Sequence, residues 1–157
     1  MSPYDEINPN EEWYKSTEPN LPPHDPDGSK VDYHPLSNHP SARWIRVLRL
    51  EPGWAYLKIR CSLIHINIDD DHVPYEAISY TWGKDQRFEQ IICNGSWTSV
   101  TRSLAQALQM FRLIDRARIL WADALCINQE DEEEKSWQVG LMRHIYTHAF
   151  HVLVWIG

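Results

Sequence analysis

Asp123, Asn128, Gln129 and Glu134 are the residues whose types and spacing best suit chemistry. Arg118 to Asp123 reads as a short buried strand ending in a carboxylate. Glu130 to Glu134 then opens an amphipathic helical segment reaching about His148, and Phe150 to Ile156 is a second apolar strand. Strand, helix, strand is the parallel crossover unit. Ligands of such units collect beyond the carboxyl ends of the strands, which is where these four residues fall.

The helix carries a finer signal. At about 100° per residue, Trp137, Gln138, Leu141, Met142, Ile145 and Ala149 share one arc, with Glu134 in its middle. Glu132, Ser136 and Arg143 fall opposite. A carboxylate among core positions needs a partner, a raised pKa or a ligand. The plainer alternative is that the acidic run complements the positive helix N-terminus, as Arg143, His144 and His148 suit the other end.

Composition narrows the class. A chain of 157 residues that is 43% hydrophobic is about one domain with a real core. The formal charge of −7 argues against a nucleic-acid partner, because phosphate neutralisation needs a basic face. No apolar run is long enough to span a bilayer, and the first ten residues are too polar for a signal peptide. Cys61, Cys93 and Cys126 are odd in number and widely spaced, which suits a reducing, cytoplasmic setting better than a disulfide framework.

Residues 1–42 read as a flexible Pro-rich leader, since eight of the ten prolines lie by Pro40 among few aliphatic residues, with docking of Trp13, Tyr14 and Tyr33 on the domain as the alternative. Residues 43–157 form the domain. Trp44 to Leu50 is its first strand, and Tyr56 to Ile68 alternates and then changes phase, which predicts a bulge or two short strands. Asp69-Asp70-Asp71 lacks the spacing of a calcium loop and reads as a solvated turn. Glu76 to Tyr80 is a short strand, and Ile91 to Thr98 is a hairpin turning on Asn94-Gly95. Thr101 or Ser103 caps a helix whose buried stripe is Leu104, Ala107, Leu108, Phe111 and Ile114. The chain stops on an apolar strand without the helix that would cover it, which points to a C-terminally truncated domain.

Other chemistries fit less well. No Gly-x-Gly-x-x-Gly or Walker-type loop is present. His144, His148 and His151 have spacing that could hold zinc, but the glutamate of His-Glu-x-x-His is missing, so no metal is expected. Cys126 beside the site reads as packing rather than a nucleophile.

The stretch Tyr75 to Gly83, then Leu120 to Gln129, Glu134-Lys135, Gln138-Val139, Met142, Ile145-Tyr146, Ala149 and Val154 to Gly157 resembles the heterokaryon incompatibility (HET) domain of filamentous fungi. Cys93-Asn94-Gly95 and Val100-Thr101 match weaker family positions. Ala122 and Lys135 depart from the usual isoleucine and arginine without touching the carboxylates. The resemblance implies a role in nonself recognition, where incompatible partners trigger programmed cell death. That family in turn looks distantly similar to the TIR domain of innate immunity. The implied fold is α/β, a TIR-like open mixed sheet with flanking helices and an N-terminal β-hairpin region.

By the same fold-level analogy the domain would act as an NAD hydrolase, with NAD as substrate and no cofactor. Glu134 would stabilise an oxocarbenium-like state, and Asp123 would hold or orient the ribose. Tyr80, Trp82, Gly83, Asn128, Gln129 and Gln138 would make up the substrate-binding set, Trp82 and Tyr80 by stacking unless they pack in the core. The rival reading is a noncatalytic signalling module that self-associates or recruits a regulatory or allelic partner. Under it both carboxylates end in closed pairs with donors such as Arg118 or Trp121.

Overall fold

The computed structural model describes residues 21–22, 30–38, 41–82 and 87–157. Its strands are β1 (Trp44–Leu50), β2 (Arg60–Asn67), β3 (Glu76–Tyr80), β4 (Phe88–Cys93), β5 (Ser96–Thr101), β6 (Arg118–Trp121) and β7 (His151–Trp155). They form one mixed sheet in the order β5-β4-β2-β1-β6-β3-β7. β3 runs parallel to both β6 and β7, and β2 runs parallel to β4, while β1 is antiparallel to both neighbours. Helix α1 (Arg102–Phe111) follows β5. Helices α2 (Asp123–Cys126), α3 (Glu132–Gly140) and α4 (Met142–His148) lead from β6 to β7. The expected parallel crossover is therefore present, with β3 inserted between its two strands. The α/β class is as the sequence implies.

β1 is the central strand by burial. Ile45 and Val47 on one face, and Arg46, Leu48 and Leu50 on the other, are all inaccessible. The Asn94-Gly95 turn takes φ of 52° and 78°, the paired left-handed conformation of a two-residue hairpin. Thr101, not Ser103, caps α1 by accepting from the Leu104 amide at 3.2 Å, while the Ser103 hydroxyl donates to the Thr81 carbonyl. The acidic turn after β2 is a local ion pair, in which Asp69 accepts from Arg43 Nε at 3.0 Å.

Five expectations differ in detail. β6 ends at Trp121, and Asp123 opens α2 rather than ending the strand. The long helix is two, broken at Leu141 immediately after Gly140, the weakest helix former in the segment. The second strand starts only at Arg60, because Arg112 gathers the carbonyls of Trp54, Leu57 and Lys58 into a loop. Its register with β1 runs unbroken from Trp44↔Asn67 to Leu50↔Cys61, so there is no bulge. The phase change instead records a strand whose two faces are both partly covered, with Leu63 and Ile64 half-buried on opposite sides. Ile114 lies beyond the end of α1 and is 58% exposed.

The fifth difference concerns the leader. Residues 1–20, 23–29 and 39–40 lie outside the described part of the chain. Val31 packs on the core, however, and the segment 30–38 is a docked strap. Among the described residues no helix is long and apolar enough to cross a membrane.

Glu76 on β3 accepts from Arg118 on β6 at 2.7 and 3.1 Å, with side chains 17% and 22% exposed. That contact, joined by His151 Nδ1 at 3.5 Å, holds the Glu76 carboxyl below its ordinary value of 4.5. A depressed folded-state pKa gives stability that is present above 4.5 and lost as pH falls through the lower folded value. Glu76→Gln is therefore expected to flatten the acid limb of a Tm-against-pH curve below that pH. An acid limb as steep as in the parent protein would show that this pair contributes nothing to it.

Candidate functional site

Glu134 sits in the first turn of α3 because Asp131 caps that helix, accepting from the Glu134 amide at 3.0 Å. The helical arc turns its side chain inward, as the sequence requires, and the carboxylate meets Arg46 of β1. Arg46 Nη2 donates to Oε1 at 2.6 Å and Nη1 to Oε2 at 2.9 Å, a bidentate pair with side chains 1% and 6% exposed. The Asn128 amide adds a third donor to Oε2 at 2.7 Å. Removing either partner of such a pair strands a buried charge, which costs about 3–5 kcal/mol.

Arg46 reaches further. Nη1 also donates to the Cys126 carbonyl at 3.3 Å, and Nη2 to the His34 carbonyl at 3.0 Å. The guanidinium lies 4.8 Å from the centre of the Tyr33 ring, and the Tyr33 hydroxyl donates to the Leu125 carbonyl at 2.7 Å. Burial pushes the Tyr33 pKa up. The strap is thus fastened to the same guanidinium that holds Glu134.

Asp123 has a different setting. It is half-buried, accepting from the Ala124 amide at 2.8 Å and, more weakly, from the Trp82 indole at 3.4 Å. The Tyr80 hydroxyl lies beside this carboxylate without a hydrogen bond of normal geometry, and burial first, then Asp123, pushes its pKa up. Gln129 Nε2 donates to the Asp123 carbonyl at 3.0 Å, and Asn128 Oδ1 accepts from the Glu130 amide at 3.2 Å. Gln138 is fully buried one turn after Glu134 and donates to the Trp44 carbonyl at 2.8 Å. Gly83 lies outside the described residues.

A groove of about 470 Å³ opens beyond the carboxyl ends of β3 and β6. Trp82, Asn128, Gln129, Tyr33 and Phe88 line it, but neither Asp123 nor Glu134 does. Glu134 borders a smaller recess of about 170 Å³ with Pro35, Leu36 and Trp137. Strap residues line both spaces, Tyr33 the one and Pro35 the other. Among the described residues, Glu134 and Trp82 thus line two different spaces, and strap residues border each of them. The anticipated donors also differ, since Arg118 pairs with Glu76 and the Trp121 indole nitrogen has no partner among the described residues. Arg46 was legible only as one of two cations, with Arg49, inside the otherwise apolar run Trp44 to Leu50, a hint that whichever of them turned inward needs a carboxylate.

Two side observations complete the site. Burial pushes the Cys126 thiol up to about 12, so it stays protonated near neutral pH and serves packing. His148 Nδ1 lies 2.8 Å from the His144 carbonyl, a contact at the C-terminal end of α4.

The fold and site define a class: an α/β domain with a mixed sheet whose central strand carries a buried arginine–glutamate pair, fastened to the Asn128 amide and the Cys126 carbonyl. The heterokaryon incompatibility protein (HET) family model matches residues 75–157. The chain is also 33% identical over 143 residues to heterokaryon incompatibility protein 6, OR allele, of Neurospora crassa, covering 83% of this chain and 21% of that protein. The chain belongs to the heterokaryon incompatibility family. It spans about a fifth of the length of that relative. No solved structure matches.

The strap makes a measurable demand. Tyr33→Phe is expected to cost about 1 kcal/mol for the lost hydrogen bond, and Tyr33→Ala about 3 kcal/mol as the ring is removed as well. Urea unfolding of both variants checks the order. Truncation of residues 1–38 should lower Tm by several degrees, and an unchanged Tm would show that the docked strap adds no stability.

Proposed function

We propose that this domain serves fungal nonself recognition, in the response by which incompatible partners trigger programmed cell death, and that it does so as a noncatalytic module. It would self-associate or recruit a regulatory or allelic partner. Family membership supports the biological setting, and the relative's name carries the incompatibility role. The observation that supports a noncatalytic mode is the closed state of Glu134, whose carboxylate is satisfied by Arg46 and the Asn128 amide. A carboxylate neutralised in this way is poorly placed to stabilise a developing cation.

A second reading has its own support. The groove beyond β3 and β6 lies where open parallel sheets hold ligands, and Trp82, Asn128 and Gln129 line it beside Asp123. On this reading the domain is a TIR-like NAD glycohydrolase. Trp82 stacks on a ring, Asn128 and Gln129 line the pocket, Tyr80 lies behind it beside Asp123, and Asp123 rather than Glu134 is the carboxylate nearest the reacting sugar, while Gln138 stays with the Trp44 carbonyl. Glu134 would join only after Arg46 swings away.

One experiment separates the two. Purified protein is incubated with NAD and released nicotinamide is measured, while toxicity on expression is followed in parallel. The module reading predicts no NAD loss, with toxicity retained in Asp123→Asn. It further predicts that Glu134→Gln weakens toxicity by destabilising the domain, visible as a lowered Tm by circular dichroism, whereas Glu132→Gln does nothing. NAD turnover that disappears in a folded Asp123→Asn protein would establish the enzyme instead.

A further inference from the structure

Cys61 on β2 and Cys93 on β4 are direct register partners in a parallel ladder. Partners in such a ladder point to the same face of the sheet. Far apart in sequence, the two thiols end as neighbours, buried at 5% and 0% exposure. Each acts on the other: the neighbouring thiol lowers the pKa of Cys93 and, with burial, raises that of Cys61. Strands in a sheet lie about 4.8 Å apart. That separation falls within the roughly 4.4–6.8 Å that a disulfide spans between Cα atoms.

The pair also sits at a mechanical seam. β2 and β4 share only the register pairs Arg60↔Ile92 and Cys61↔Cys93, so the β4–β5 hairpin joins the main sheet along a short line. The Asn94 side chain, accepting from the Leu63 amide at 2.8 Å, is a neighbouring fastening. The hairpin carries Phe88 and Thr98 to Thr101, one wall of the groove beyond β3 and β6. β5 is the terminal strand of the sheet, and local opening of such peripheral elements is the route by which a small peroxide would reach the pair.

We propose that Cys61 and Cys93 are a redox site: a peroxide converts them to a cross-strand disulfide that locks the hairpin, and with it one wall of the groove, onto the sheet. The Cys93 thiolate attacks one oxygen of hydrogen peroxide, cleaving the O–O bond and leaving a sulfenic acid, and the displaced hydroxide takes up the proton the Cys93 thiol gave up on ionising and departs as water. The Cys61 sulfur then attacks the sulfenic sulfur, and the expelled hydroxide takes the Cys61 proton as a second water. Two thiols are oxidised by two electrons, and one peroxide is reduced to two waters. Cys126 has no thiol register partner and stays out of the reaction.

The test uses the full chain, folded by circular dichroism, treated with graded hydrogen peroxide, quenched, and then alkylated in denaturant so that every remaining thiol is counted. Alkylatable thiols are expected to fall from three to one. Nonreducing peptide mapping should show a peptide pair joined through Cys61 and Cys93, and dithiothreitol should restore all three thiols. Cys126→Ser should leave the cross-link intact, while the Cys61→Ala/Cys93→Ala protein should lose no thiol at the same dose. The oxidised protein should melt several degrees higher than the reduced one. Three thiols left free, sulfinic acids without a bridge, a bridge that includes Cys126, or a 61–93 bridge that forms only in denaturant would each overturn the redox site. An oxidised protein that melts no higher would overturn the lock.

Discussion

The Arg46–Glu134 pair is the constraint on which the rest of this architecture depends. Two charges removed from water cost several kcal/mol each unless geometry returns the energy. Here it does so through two guanidinium donors and the Asn128 amide on one carboxylate. The pair also fixes where α3 lies. One turn beyond Glu134, Gln138 bonds the carbonyl of Trp44, two residues before Arg46, so α3 is pinned along β1 at two successive rungs. The cap from Asp131 sets the phase of that helix and therefore which of the glutamates points inward.

The same guanidinium explains the surroundings of the groove. It holds the strap through the His34 carbonyl and the Tyr33 ring, and the end of α2 through the Cys126 carbonyl. Chain from before the sheet, from β1, from α2 and from α3 therefore converges on one side chain. With the strap docked, the recess beside Glu134 and the groove beside Trp82 stay separate spaces.

Local rules were legible in the sequence where local physics decides. Asn94-Gly95 forces the hairpin, Thr101 caps α1, and the helical arc turns Glu134 inward whatever it meets there. What Glu134 meets was not legible, because Arg46 lies on a strand far away in sequence and only the sheet order brings it close. The docking of Tyr33 was legible only as the weaker alternative to a flexible leader, for a related reason: proline-rich polar sequence has no core pattern, and a single aromatic anchor leaves no periodicity. The break at Gly140 was written in the sequence but outweighed by an apolar arc that continues through it. Asp123 was expected at a strand end and lies one short step past it, in α2, still at the carboxyl edge where the groove opens.

The central claim, that Arg46 and Glu134 act as one structural unit, is tested most directly by a double-mutant cycle in urea. Arg46→Met and Glu134→Met each leave a buried charge alone and are each predicted to lose about 3–5 kcal/mol of stability. The double variant, with neither charge, should lose less than the sum of the two by about 2–3 kcal/mol. Strictly additive losses would contradict the account, and would show that the two side chains stabilise the domain independently.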